Sequence, residues 1–132
     1  MVQIASVAPV LLVADVLETA QYYRDVLGFH FDQIAGEPPS FVIVQRDGAR
    51  LMFRQPREGA PPPANGSVVP QFPFDLFFYV DDVEALAEDL RGKQAEILHG
   101  PTYRPIWNGK ELEVRDCDGR VLCFGQPMGE AS

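Results

Sequence analysis

Two short apolar runs, each ending near an aspartate and followed by apolar residues at helical spacing, organise this chain. In the first, Val10-Leu11-Leu12-Val13 reads as a strand. Asp15 then caps a helix, with Glu18 as its capping-box partner. Val16, Ala20, Tyr23 and Leu27 share one helical face, and Gly28 supplies the left-handed stop. In the second, Phe77-Phe78-Tyr79-Val80 is the strand and Asp81 or Asp82 the cap. Val83, Leu86, Ala87 and Leu90 form the helical face, and Gly92 is the stop. Three strands are predicted after each helix: 29–34, 41–45 and 50–54, then 96–99, 111–115 and 120–125. Asp47-Gly48 and Asp118-Gly119 read as hairpin turns in which glycine takes the positive φ.

The likeness of the two runs is a repeat. Residues 9–24 overlay on 76–91 at an offset of 67, with identities Val13/Val80, Asp15/Asp82, Val16/Val83, Ala20/Ala87 and Arg24/Arg91. Asp47-Gly48-x-x-Leu51-x-Phe53 overlays on Asp118-Gly119-x-x-Leu122-x-Phe124 at an offset of 71. Two matches in the same order at nearly the same offset indicate a duplicated module. The modules run over about 5–55 and 74–126, each βαβββ, within one domain of 132 residues. Between them, 56–73 holds six prolines with Gly59, Asn65 and Gly66, and reads as a linker without helix or central strand.

Composition narrows the class. With 46% hydrophobic and 23% charged residues, the chain is globular and not disordered. Its net charge of −8 argues against a nucleic-acid partner, which needs a basic face, and against an anionic membrane surface. The charge is uneven: residues 1–67 carry seven acids and five bases, residues 68–132 twelve acids and six bases. Cys117 and Cys123 make no metal-finger spacing and read as reduced thiols of a cytoplasmic protein. No apolar run approaches the roughly 18 residues of a membrane span, and no basic segment opens a secretory signal.

Ala8-Pro9-Val10-Leu11-Leu12-Val13-Ala14-Asp15-Val16 and Tyr22-Tyr23-Arg24-Asp25-Val26-Leu27-Gly28-Phe29 resemble the opening of the vicinal oxygen chelate superfamily. That superfamily includes glyoxalase I, extradiol dioxygenases, and fosfomycin- and bleomycin-resistance proteins. Gly109-Lys110-Glu111-Leu112-Glu113-Val114-Arg115-Asp116, Asp118-Gly119 and Leu122-Cys123-Phe124-Gly125 resemble its end, although Cys117 stands where the family usually has proline. The resemblance covers 5–126. It implies an α+β fold: two tandem βαβββ modules forming a curved, cup-shaped mixed sheet with helices outside. It also implies a homodimer with composite sites. In metal-dependent members four equivalent strand positions hold the ion, and here these are Ala8, Met52, Asp75 and Cys123. Alanine cannot coordinate, a thioether is soft, and two remaining donors are too few for zinc. His30 and His99 fall outside the four positions. No metal and no other cofactor is therefore expected.

Strand alternation in this register turns Val10, Leu12, Arg50, Met52, Arg54, Asp75, Phe77, Tyr79, Val121 and Cys123 into the cup. Leu11, Val13, Leu51, Phe53, Leu76, Phe78, Val80, Leu122 and Phe124 pack under the helices. The candidate ligand-binding residues are Leu12, Arg50, Met52, Arg54, Asp75, Phe77, Tyr79, Tyr103, Trp107, Glu111 and Cys123; none is assigned a catalytic role. Asp75 either contacts a cation or a ligand amine, or is a carboxylate that is solvated or paired with Arg50 or Arg54. Cys123 has no histidine placed to activate it and reads as a packed thiol. His99, before Gly100-Pro101, reads as a surface turn residue. Tyr103 and Trp107 fall in a loop, where they either stack on a ligand or pack locally. Glu111 and Glu113 share one strand face, either lining an acidic cleft or facing solvent. The leading reading is a metal-free protein of bleomycin-resistance type, sequestering a cationic or aromatic small molecule in a cup at the dimer. A metal-dependent glyoxalase, isomerase or dioxygenase is the alternative, and a regulatory or partner-binding module the second.

Overall fold

The structure, a computed structural model, describes residues 1–71 and 73–129. The chain divides between Pro62 and Pro63 into two compact units. The first holds β1 (Val10–Leu12), α1 (Val16–Asp25), β2 (Ile34–Ala35), β3 (Phe41–Arg46) and β4 (Ala49–Arg54). The second holds α2 (Asn65–Val68), β5 (Phe74–Tyr79), α3 (Val83–Gly92), β6 (Glu96–Arg104), β7 (Gly109–Arg115) and β8 (Val121–Pro127). Each unit has one four-stranded mixed sheet, ordered β1-β4-β3-β2 and β5-β8-β7-β6, whose first strand runs parallel to its last. The fold is α+β, with tandem βαβββ modules.

The helices begin where the aspartates place them. Asp15 accepts from the Leu17 and Glu18 amides at 3.0 Å each, and Asp82 from the Ala85 amide at 3.0 Å. A second acceptor comes from the residue just after β4 in the first module and from near the end of β8 in the second. The Gln55 side chain takes the Val16 N–H at 3.1 Å, and that of Gln126 takes the Val83 N–H at 2.9 Å. These are amides that a helix leaves without intrahelical partners. At the other end of α1, Gly28 is left-handed (φ +77°) and Arg46 donates to the Leu27 carbonyl at 2.7 Å.

Each helix buries one face against one face of its sheet. In the first unit Val16, Ala20 and Tyr23 of α1 are buried with Val42, Val44, Leu51 and Phe53. The Tyr23 ring lies 5.0 Å from Phe53 and 5.4 Å from Phe29. In the second, Val83, Ala87 and Leu90 of α3 are buried with Leu112, Val114, Leu122 and Phe124, and Phe78 stacks on Phe124 at 4.8 Å. Full burial of each such valine, leucine or phenylalanine side chain contributes about 1.5–3 kcal/mol.

Five local expectations are corrected. The strand over 29–34 is reduced to Ile34–Ala35 and a bridge from His30 to Gln45. Phe29 turns into the core there, and the Arg24 guanidinium covers Phe31 at 5.5 Å. At the first hairpin Asp47, not Gly48, carries the positive φ (+50°), a conformation aspartate tolerates. Helix α3 continues through Gly92, and Gln94 (φ +61°) takes the left-handed position. The stretch 56–73, whose position 72 lies outside the described residues, does hold a helix, α2. Its proline-free turn is capped from outside, the Asn65 amide donating to Asp75 at 2.8 Å. Finally, β6 runs past His99 to Arg104, so His99 and Tyr103 lie in a strand. Two register shifts around Gly100 (φ +97°) carry it past β7, where any side chain at 100 meets the Glu111 carbonyl.

Removing either cap tests this account. Asp15→Ala and Asp82→Ala should each lower unfolding free energy by about 1 kcal/mol. Urea titration should show a lower midpoint at an unchanged slope; unchanged midpoints in both would refute the role of the caps.

Candidate functional site

In each sheet the face turned from the helix carries the remaining side chains. On the first, Val10 pairs with Met52 and Leu12 with Arg54 across β1 and β4, while Arg54 pairs with Phe41 and Arg50 with Gln45 across β4 and β3. This gathers Leu12, Arg50, Met52 and Arg54 on one face. Arg54 lies over the Phe41 ring at 5.7 Å, and Arg50 donates to the Gln45 side chain at 3.2 Å.

The second unit builds the richer face. Phe77 pairs with Cys123 and Tyr79 with Gly125; Glu111 also pairs with Gly125, and Glu113 with Cys123. Alternation therefore sets Phe77, Tyr79, Glu111, Glu113 and Cys123 on one side. The other side holds Lys110, which reaches Glu84 of α3 at 3.1 Å, and Gln126, which caps α3. Which way Glu111 and Glu113 point, open in the sequence, is thereby settled: away from the helix.

Trp107 completes the face from the β6–β7 connection. Its ring lies over Gly109 and Gly125, two positions whose missing side chains leave room for it. A Cβ on Gly125 would stand 2.6 Å from Phe77 and 3.0 Å from the indole. Trp107 meets Phe77 edge-on at 5.8 Å and Tyr79 at 6.4 Å, and Phe77 meets Tyr79 at 5.1 Å. Tyr79 is 75% exposed and Phe77 37%, so the cluster opens outward. Beneath it Glu111 is buried. Its carboxylate accepts from the indole N–H at 2.8 Å and from Arg104 at 3.3 Å. The extension of β6 supplies that arginine, which no local signal in the sequence marked.

Cys123 is fully buried on this face. Burial, with the negative charges of Glu111 and then Glu113, pushes its thiol up to about 12, against a lesser opposing effect of Arg104. The thiol is neutral at physiological pH and is neither an activated nucleophile nor a ready ligand.

Two candidates stand apart. Tyr103 pairs with Lys110 on the helix side, and its hydroxyl donates to the Asn108 side chain at 2.8 Å. Asp75 sits at a register shift in β5, where its two oxygens accept from the Asn65 amide at 2.8 Å and the Val121 amide at 2.9 Å. Its partners are backbone amides, not Arg50 or Arg54. A divalent ion does not fit the four positions assigned by resemblance. Ala8 has no donor atom, Met52 offers a soft thioether, the Asp75 oxygens hold amides, and Cys123 keeps its proton. Among the described residues, no group of three or more His, Cys, Asp or Glu is arranged to hold a metal ion.

Comparison with known proteins matches residues 3–124 to the family described as Glyoxalase/Bleomycin resistance protein/Dioxygenase superfamily. No curated protein matches the chain. Similar solved structures include TnmS3, an antibiotic binding protein from Streptomyces sp. CB03234, at 22% identity and TM-score 0.72 over 97% of this chain and 100% of that one. TioX from Micromonospora sp. ML1 aligns at 18% identity and TM-score 0.71, over 92% and 97%. A glyoxalase/bleomycin resistance protein/dioxygenase from Nocardioides aligns at 16% and 0.65, over 100% and 93%. These likenesses show the fold. No helix among the described residues is long and apolar enough to cross a membrane.

The two thiols should separate cleanly. Cys117 is exposed and Cys123 buried, so an aromatic disulfide reagent at pH 8 should titrate one thiol in the native chain and two in guanidinium. The folded state holds the Cys123 proton more tightly than the unfolded state, so its contribution is complete below about 9 and is lost as pH rises towards about 12. The urea midpoint of wild type should fall more steeply over that range than that of Cys123→Ala; parallel curves would contradict the shift.

Proposed function

This chain belongs to the Glyoxalase/Bleomycin resistance protein/Dioxygenase superfamily, and from that premise we propose that it is a cytoplasmic, homodimeric binding protein that sequesters a cationic aromatic small molecule. No bond is made or broken in this reading. The observation that carries it is the open cluster of Phe77, Tyr79 and Trp107 above a buried, pinned carboxylate. Exposed aromatic rings with edge-to-face contacts to one another present faces and edges to an incoming ring. Each new aromatic pair adds about 0.5–1.5 kcal/mol beyond the area it buries.

The platform is preorganised. The indole cannot swing freely, because its N–H is held by Glu111 and its ring rests on two glycines. Glu111 in turn is held by Arg104. Little ordering entropy is then left for the ligand to oppose. The excess of acids over residues 68–132 favours a positive ligand over a negative one. The antibiotic-binding description of TnmS3 agrees with a small-molecule role. The homodimer rests on the family's habit and on the bare apolar residues of edge strand β1, where Val10 is 55% exposed.

Trp107 is the single tryptophan, so its emission reports on the site directly. Proflavine, a planar cation, should quench it saturably, and Tyr79→Ala should weaken that binding by about tenfold. No saturable change up to roughly millimolar proflavine, ethidium or berberine would overturn the reading. Sedimentation equilibrium should give twice the chain mass of 14.7 kDa; a monomer would remove the dimer from the proposal.

A further inference from the structure

A second feature of the same face lies beyond the aromatic cluster. A cleft of about 330 Å³ opens in the second unit, lined in part by Ser67, Pro73, Leu98, Glu113, Arg115 and Val121. Its volume falls at the lower end of small-molecule sites, roughly 300–1,000 Å³. One wall is α2, a single turn with no side-chain cap of its own. It is fixed by Asp75, which holds the Asn65 amide with one oxygen and the Val121 amide with the other. Wall and floor are thus tied by one carboxylate. Gly66 packs so closely on Pro73 that a Cβ there would stand 3.1 Å from the proline ring.

The charges inside the cleft are unequal. Arg115 is already paired with Glu96 across β6 and β7. Glu113 is half-buried and has no hydrogen-bond or ion-pair partner among the described residues. Its cross-strand neighbour His99 is engaged with Thr102 at 3.1 Å. A partly desolvated carboxylate without a counter-ion gains from any cation that enters. The walls beside it are apolar: Leu98, Pro73 and Val121. One unpaired anion, between apolar walls and an arginine already held by Glu96, suits a cationic head on an apolar stem.

We propose that this cleft is a subsite for an ammonium group on an apolar arm of the ligand, with Glu113 as its counter-ion. It rests on the binding reading above and names the part of the ligand that supplies its charge. Glu113 and Glu111 lie on one strand face two residues apart, about 7 Å. One molecule can therefore set a ring on Trp107 and an amine at Glu113.

The test uses phenethylammonium chloride and its neutral counterpart 2-phenylethanol, followed by amide NMR on the full chain at pH 7. The amine should shift the Leu98, Glu113 and Val121 amides saturably and bind about tenfold more tightly than the alcohol. Glu113→Gln should remove that advantage while leaving the alcohol unaffected. Leu98→Arg, at a 40% exposed position, should do the same by placing a competing cation in the cleft. Equal affinity for amine and alcohol, or an unchanged amine affinity in both variants, overturns the subsite. Proflavine quenching of Trp107 separates the two proposals. If quenching fails on wild type while the amine still discriminates, the platform falls and the subsite stands. If quenching succeeds without discrimination, the subsite falls alone.

Discussion

Helices α1 and α3 are each fastened at the first turn by two side chains from different parts of their module. An aspartate immediately before the helix takes amides of the first turn. A glutamine just after β4, or near the end of β8, takes the very first one. Val16 and Val83 differ by 67 positions, Gln55 and Gln126 by 71, the same offsets at which the sequence repeats. The glutamine tie matters most, because it joins the start of the helix to the strand beside which the chain entered it. It fixes the rotation of the helix over the sheet, and with that which residues can be buried. Val16, Ala20 and Tyr23 in one unit, and Val83, Ala87 and Leu90 in the other, follow from that phase.

With folding carried on the helix side, the opposite face of each sheet is released to diverge. The duplication makes the divergence readable position by position. The pair Val10 and Met52 in the first unit becomes Phe77 and Cys123 in the second; Leu12 and Arg54 become Tyr79 and Gly125. One face acquires arginines and aliphatic side chains. The other trades bulk on the sheet for glycine and receives an indole from outside. A glycine in a strand usually weakens it. At 109 and 125 the missing side chains are filled by one ring that hydrogen-bonds to a carboxylate of the same strand pair. Binding capacity here arises from a loss of side chains as much as from a gain.

The sequence made the helices, their caps and the two-residue alternation legible because each depends on neighbours within a few positions. Asp15, Asp82, Gly28 and the apolar faces all act where local pattern puts them. What stayed hidden depends on distant partners. Helix α2 forms within a proline-rich stretch because a carboxylate 10 residues later caps it. Strand β6 outruns its expected end because Gly100 lets it shift register against β7. Glu111 and Glu113 had two equally reasonable orientations until strand pairing chose one. Trp107 was visible as a candidate, but its floor of two glycines was not, since those residues lie 16 positions apart.

Asp75 shows why position and chemistry must be argued separately. Spacing places it at one of the four positions where the family resemblance implies a metal ligand, and a carboxylate there invites that role. The backbone decides otherwise. A register shift in β5 leaves the Val121 amide without a ladder partner, and the start of α2 leaves the Asn65 amide without one. An N–H without an acceptor forfeits a hydrogen bond, and a carboxylate is a stronger acceptor than a neutral carbonyl. One side chain satisfies both, and thereby shapes the cleft it borders instead of charging it. The negative charge that faces the cleft is Glu113, whose strand pairs without interruption with β8 and whose side chain holds no partner among the described residues.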